Sequence, residues 1–231
     1  MTASGAVTLM RLALFGLIPG QLVAQKTVGS APPRVLAGAS VAIRTLLGDS
    51  LFATATTPKP EWTEFQPTAT SDCDATCLWP WRAPYYVVFF TFHPTKDERR
   101  NGLIVVAVDT IGRAIPDYPP FGAPACATTI ALCDFRVSAD SAVAIAKTSG
   151  FPAGNKAWDI SFSWTAPAAV GDCPPCAGHF DYGAPIQPPR YAWRILTRLT
   201  GEAGGAGTGE TLWIDANSGV ILHRTSWQAE E

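Results

Sequence analysis

Six cysteines form the most chemically suggestive pattern in this chain. They occur as three close pairs: Cys73/Cys77, Cys126/Cys133 and Cys173/Cys176. Thiols at such spacings form disulfides, hold a metal or act as a redox dithiol. Cys173-Pro-Pro-Cys176 is followed by a proline-rich run with no helical period, whereas redox dithiols use a helix N-terminus. His179 is close by, but structural zinc needs four ligands and no second Cys/His pair follows. We therefore predict local disulfides, no metal and no cofactor, although six cysteines allow fifteen connectivities.

Gly48-Asp49-Ser50-Leu51 resembles the motif of the GDSL hydrolases, in which the serine is a nucleophile and an Asp precedes the catalytic His by three residues. The residues three before His93, His179 and His223 are Phe90, Cys176 and Val220, and none of them is Asp. We expect a helix end followed by a turn at Ser50. A secreted serine hydrolase acting through Ser50 is kept as an alternative function.

Two tryptophans, Trp79 and Trp81, lie beside the first cysteine pair. Exposed Trp side chains on a loop bind peptides or sugar rings, so we predict a binding surface there and keep a carbohydrate or cell-wall binding module as a second alternative.

Two Asp-to-Gly segments follow predicted strands, Asp109–Gly112 and Asp215–Gly219. Asp bonds its own backbone in turns and Gly tolerates positive φ, so we interpret Asp109, Gly112, Asp215 and Gly219 as structural turn residues rather than catalytic groups.

The first residues have the pattern of a secretory signal peptide. Arg11 precedes the apolar run 12–18, Pro19-Gly20 ends that run, and Ala24 is the small residue at the predicted cleavage site. The run is too short to span a bilayer, which takes about 20 apolar residues. No later segment reaches membrane-spanning length, so we predict a secreted or periplasmic protein without a membrane span after signal removal.

The charge balance narrows the class of partner. The chain has 17 Lys and Arg against 19 Asp and Glu, a net charge of −2. Without a basic surplus, nucleic acid is not an expected partner. With 47% hydrophobic and only 16% charged residues, the chain is expected to fold rather than to be disordered.

Two stretches repeat one order of elements: a helix, a strand, a cysteine-containing loop, a strand, a hairpin turn, a further strand and an Asp-to-Gly turn. The first has a helical apolar stripe over 34–47, a loop-rich stretch over 53–84 and strands over 85–92 and 103–108. The second has a helix capped by Ser138, strands over 158–164, 191–199 and 211–215, and a short strand over 220–222. Tyr85 and Tyr191 share an offset of 106 with Asp109 and Asp215. We predict an α+β fold of two small modules, each a helix packed on an antiparallel β-sheet with disulfide-bonded loops, related by internal duplication.

The second half resembles the PepSY family. The matching residues are the helix over 138–146, the strand from Tyr191 and the ending over 212–222, which fits that family's pattern of an apolar residue, Asp, Ala, two residues, Gly and further apolar residues. The resemblance implies a degenerate PepSY-like module over 34–115 and a PepSY-like module over 138–227. The predicted organisation is therefore a signal peptide (1–24), a lead segment (25–33), the first module (34–115), a linker with a cysteine pair (116–137) and the second module (138–227).

PepSY-like domains occur in peptidase propeptides and in exported or membrane-associated bacterial proteins, and they carry no catalytic residues. The resemblance therefore implies an exported, non-enzymatic interaction protein. Its expected partner is a protein or peptide, with a peptidase as one such partner.

Overall fold

The computed structural model describes residues 26–27, 30–66, 83–116, 118–165, 186, 188–201 and 206–229. The helices are α1 (Pro33–Leu47), α2 (Asp49–Ala55) and α3 (Ala139–Thr148). The strands are β1 (Lys26–Thr27), β2 (Thr56–Pro58), β3 (Glu64–Gln66), β4 (Tyr85–Phe92), β5 (Gly102–Asp109), β6 (Asp159–Trp164), β7 (Tyr191–Gly201), β8 (Gly207–Asp215) and β9 (Ile221–Ala229). The predicted α+β class is confirmed, with two antiparallel sheets.

The first sheet is centred on β4. Strand β5 pairs along one edge of β4, while β2 and β3 share its other edge and β1 pairs with β3. The second sheet is a meander in the order β6-β7-β8-β9. The stretch 53–84, which the sequence predicted to be loop, therefore holds two short strands. Each is only three residues long, too short for a two-residue period to be recognised.

Helix α1 follows the predicted apolar stripe. Val35, Ala39, Ile43 and Leu47 recur every fourth residue and are all buried. Gly48 ends the helix with φ of 81°, and α2 continues at an angle of 117° to α1. The sequence predicted a turn after Gly48, whereas a second short helix follows. Among the described residues no single helix is long and apolar enough to cross a membrane; the bent pair α1–α2 meets that test only by length and composition.

Helix α3 is bounded by the predicted residues. The Ser138 side chain accepts the backbone N–H of Ser141 at its start, and Gly150 has φ of 71° just past its end. Its buried positions are Ala139, Ala142 and Ala146. Small side chains on this face let the helix backbone approach the second sheet closely.

The two sheets and their helices share one apolar core, and Tyr191 lies at its centre. The Tyr191 ring stacks on Phe162 of β6 at 4.6 Å and on Phe92 of β4 at 5.2 Å between ring centroids. Its hydroxyl donates to the Gly122 carbonyl at 2.8 Å. Burial raises the pKa of Tyr191, so the phenol stays neutral as a donor.

A second polar contact ties the halves together at the Val137 carbonyl. This oxygen accepts the indole N–H of Trp193 at 2.7 Å and a guanidinium N–H of Arg100 at 2.9 Å. Arg100 comes from the β4–β5 hairpin and is only 7% exposed. Phe135, two residues earlier, is also buried. The segment between the two predicted modules is thus part of the core.

The halves share strand order but not the predicted register. The strand order β3-β4-β5 in the first sheet corresponds to the order β6-β7-β8 in the second. Tyr85 pairs with Asp109, however, whereas the residue paired with Asp215 is Ala192. Tyr85 accordingly lies in a small cluster apart from the main core that holds Tyr191. The offset of 106 does not superpose these two tyrosines, because a slip of one residue moves a side chain to the other face. Duplication itself stays a prediction.

Candidate functional site

Asp215 organises the turn between β8 and β9. One carboxylate oxygen accepts the N–H groups of Asn217 at 2.7 Å and Ser218 at 2.8 Å, and the other accepts Arg190 at 3.1 Å. Burial raises the pKa of Asp215, but these hydrogen bonds outweigh it and hold the pKa below its ordinary value. A carboxylate held by three donors and 2% exposed serves its own turn rather than a ligand.

Asp109 has the same arrangement at the surface. Its carboxylate accepts the N–H groups of Ile111 at 3.0 Å and Arg113 at 2.8 Å, and the Arg113 guanidinium at 3.1 Å. Partial burial raises the pKa of Asp109, but the hydrogen bonds from Arg113 and Ile111 lower it by more, so the pKa lies below its ordinary value.

The two turn glycines pack against their own helices. Gly112 has φ of 94° and its carbonyl fits against Gly38 of α1, where a side chain would collide. Gly219 has φ of 78°, and an added Cβ would lie 3.1 Å from the Ile145 side chain of α3. Each Asp-to-Gly turn therefore fixes a hairpin end against a helix.

The predicted cysteine and tryptophan sites are only partly visible. Cys126 and Cys133 form the predicted disulfide, which closes the segment that follows the first sheet. Cys73, Cys77, Cys173, Cys176, Trp79 and Trp81 lie outside the described residues. Within the described ranges, no group of three or more His, Cys, Asp or Glu side chains is placed to hold a metal ion.

Ser50 lies at the rim of an open depression of about 360 Å³ between the α1–α2 bend and the disulfide. The lining combines apolar side chains with two hydroxyls and one carboxylate: Leu47, Gly48, Asp49, Ser50, Leu51, Thr54, Cys126, Ile130 and Cys133. Asp49 pairs with Arg44 at 3.4 Å rather than with an imidazole. No histidine is among these described lining residues.

The outermost strands of the two sheets differ in how far they are covered. Strand β2 has three residues and ends at Pro58. The outward groups of β5 are bonded by the chain that follows it, since Val105 exchanges two hydrogen bonds with Phe121, at 3.0 and 2.9 Å. Strand β6 has six residues and contacts β5. In the described part of the chain, β9, with nine residues, is the longest edge strand.

The backbone groups of β9 alternate between its two sides. The Asp215 N–H donates to the Val220 carbonyl. Because backbone groups alternate in direction along a strand, the N–H and C=O groups of every second residue of β8, counted back from Asp215, point towards β9. These residues pair with His223, Thr225 and Trp227. The N–H and C=O groups of the residues between, Arg224, Ser226 and Gln228, therefore point away from β8.

No backbone group of any described residue bonds these outward groups; the Ser226 carbonyl accepts only the Thr225 hydroxyl, at 3.2 Å. From Arg224 to Gln228 the free edge is about 14 Å long. Natural edge strands are usually shortened, bulged or protected by Pro or by charged side chains, especially Lys. Strand β9 has nine residues, and after a bulge near its start it runs regularly to Ala229 with neither Lys nor Pro, and with Arg224 as its exposed charged side chain.

The side chains of β9 give its two faces different chemistry. On one face Trp227 packs over Gly209, and the Arg198 guanidinium lies 4.9 Å from the Trp227 ring centroid. On the other face Arg224 pairs with Glu210 at 2.7 Å, and the Arg224 side chain is 42% exposed. The edge thus offers an aromatic ring on one face and a partly exposed cation on the other.

Sequence reasoning missed this edge because it ended the last strand at Leu222. The residues beyond it alternate weakly, since most of β9 is exposed on both faces. The available signal beyond Leu222 was the β-branched Thr225 and the aromatic Trp227 among polar residues.

No protein-family model matches the sequence, and comparison with the curated proteins and with the solved structures gives no match.

Proposed function

We propose that this chain is an exported, non-enzymatic interaction protein of PepSY type, and that it holds an extended peptide segment of a partner protein beside β9. The observation that carries the proposal is the unpaired edge formed by the backbone groups of Arg224, Ser226 and Gln228. An extended peptide adds to such an edge as a further strand, with main-chain hydrogen bonds as its principal attraction.

Sheet geometry favours this mode of binding over a pocket. The depression at Ser50 is open and has no histidine among its described lining residues, whereas the edge presents three N–H and three C=O groups in one row. A strand is also a rigid template, because β9 is held along its length by β8. A hydrolase acting through Ser50 gains no support from the described residues, and Trp79 and Trp81 of the sugar-binding alternative lie outside them.

The compartment and partner class come from the sequence. The signal peptide pattern over 1–24 supports export, and the Cys126–Cys133 disulfide is typical of an oxidising compartment. The partner is then a secreted or periplasmic protein or peptide, and the PepSY resemblance makes a peptidase the first class to examine. The duplicated-module organisation, 34–115 and 138–227, is part of the same proposal.

The test is selection of displayed random peptides on the purified exported form, followed by amide hydrogen exchange of the complex. We expect bound peptides to slow exchange at Arg224, Ser226 and Gln228. Ser226→Pro removes an outward N–H without breaking the ladder to β8, so it should fold and lose binding. Ser226→Ala keeps the backbone and should bind like the wild type.

Selected peptides that bind Ser226→Pro as well as the wild type, or that protect other amides, would contradict the proposal. Export has its own test. Expression with the native N-terminus should deliver a chain beginning at Gln25 outside the cytoplasm, and an intact N-terminus on the cytoplasmic protein would contradict it.

A further inference from the structure

The side chains that flank the β9 edge specify more than main-chain pairing, and this inference rests on the strand addition proposed above. We infer that the bound segment runs antiparallel to β9 and carries a large apolar residue opposite Trp227, followed three residues later by Asp or Glu opposite Arg224. The partner is thus an extended peptide with the pattern apolar–x–x–acidic.

The antiparallel direction follows from the sheet. Every pair in the β6-β7-β8-β9 meander is antiparallel. Antiparallel ladders are also slightly more stable per residue than parallel ones. In that direction, the peptide residue opposite Trp227 comes first in the peptide sequence and the residue opposite Arg224 comes three positions later.

The apolar position follows from the geometry at Trp227. Its own N–H and C=O groups face β8, so a residue on an added strand meets it as a non-hydrogen-bonded pair, in which side chains approach most closely. The Trp227 ring is already fixed between Gly209 and the Arg198 guanidinium. An aromatic or β-branched partner beside such a ring is the favoured cross-strand pair.

The acidic position follows from the charge at Arg224. The backbone of Arg224 faces outward, so the peptide residue opposite it shares a hydrogen-bonded pair and its side chain lies on the face of the guanidinium. The Arg224 Nε donates to Glu210 at 2.7 Å and the guanidinium carbon lies 5.5 Å from the Phe151 ring centroid. The other N–H groups of the planar fork remain to bind a carboxylate from the added strand.

The remaining positions along the edge are less selective. Ser226 and Gln228 carry no charge, and Thr225 is exposed on the same face as Trp227. His223 and Arg224 are the only ionisable residues of β9, and neither is acidic. The Arg224 guanidinium therefore favours an acidic residue opposite it and disfavours a basic one.

The experiment uses fluorescence anisotropy on the full mature chain with four labelled peptides in one β-prone background. They carry apolar–x–x–Glu, the same with Gln for Glu, the same with Ser for the apolar residue, and the reversed order Glu–x–x–apolar. We expect each single peptide change to weaken binding by about fivefold, at the upper end of cross-strand pair effects, and the reversed order, which loses both contacts, to weaken it further.

The protein variant Arg224→Gln completes a double-mutant cycle. On Arg224→Gln the Glu and Gln peptides should bind equally, because the charge pair is already lost. Gln228→Ala is the matched control, on the same face of β9, and should retain the full preference for Glu. Because the peptide series leaves the protein unchanged, its result does not depend on any variant folding.

The outcomes separate this inference from the proposed function. Equal binding of all four peptides to the wild type, together with loss of binding in Ser226→Pro, would overturn the pattern and keep strand addition. A preference for Glu that persists on Arg224→Gln would overturn the acidic assignment. Absence of binding by every peptide, with unchanged exchange along β9, would overturn both.

Discussion

Replacing Asp215 and Asp109 by alanine tests the same hydrogen-bond arrangement in a buried turn and in a more exposed one. Asp215 and Asp109 each accept two backbone N–H groups and one guanidinium N–H. Their side chains are 4% and 20% exposed respectively. Asp109→Ala is therefore a control within the same molecule for Asp215→Ala.

The expected losses differ because water reaches only one of the turns. Hydrogen bonds to a charged group contribute about 1.5–3 kcal/mol in a protected site, and a buried donor left unpaired costs about 1–3 kcal/mol. Part of this loss of stability is offset because Asp215→Ala also removes the free-energy cost of burying the carboxylate. We expect Asp215→Ala to lower the free energy of unfolding by about 3 kcal/mol. At Asp109 water replaces the lost acceptor, and we expect about 1 kcal/mol.

The assay is urea denaturation of both variants at pH 7 and at pH 3. Both carboxylates have pKa values below the ordinary value. A lowered folded pKa means that the carboxylate stabilises the fold above the unfolded pKa of about 4, and that this contribution disappears as the pH falls through the folded pKa. The difference between wild type and Asp215→Ala should therefore shrink at pH 3.

Equal losses for the two variants at pH 7 would refute the argument that burial decides the magnitude. A larger deficit of Asp215→Ala at pH 3 than at pH 7 would refute the assigned direction of the pKa shift. Unchanged stability together with lost peptide binding would make Asp215 part of the binding site instead of a structural residue.

Three further changes test the core between the halves and the Cys126–Cys133 disulfide. Arg100→Met should lower the free energy of unfolding by about 2 kcal/mol in urea denaturation, because a buried charged donor is lost; no change would show that the hairpin is held by packing alone. Gly102→Ala should cost about 3 kcal/mol or prevent folding, because its Cβ would enter the ring of Tyr191, and a near-neutral effect on the thermal midpoint would contradict that packing. The double change Cys126→Ser and Cys133→Ser should cost about 2 kcal/mol through loop entropy, whereas a wild type with free thiols at these two positions would contradict the disulfide.

The sequence determined the elements whose signals are local. The i, i+4 stripe of α1, the Ser138 cap of α3 and the two Asp-to-Gly turns all depend on hydrogen bonds or packing within a few residues. The same holds for the Cys126–Cys133 link, whose partners are seven residues apart. Such features can be predicted from the sequence because each side chain bonds to or packs against a residue close to it in the chain.

Tertiary structure decided everything that depends on a distant partner. Tyr85 and Tyr191 look equivalent along the chain. However, Tyr85 itself pairs with Asp109, whereas Ala192 and not Tyr191 pairs with Asp215, and the two tyrosines lie in different clusters. Arg100 is charged and would be expected at the surface, yet the Val137 carbonyl holds it inside.

The candidate site belongs to this second class. That Arg224, Ser226 and Gln228 present an open edge follows from the register of β9 on β8 and from the position of β9 at the end of the sheet order. Neither is encoded in a motif, because main-chain donors and acceptors are the same in every residue except proline. The sequence determined that β-prone residues lie there, and only the packed sheet determined which of their backbone groups are left to bind a partner.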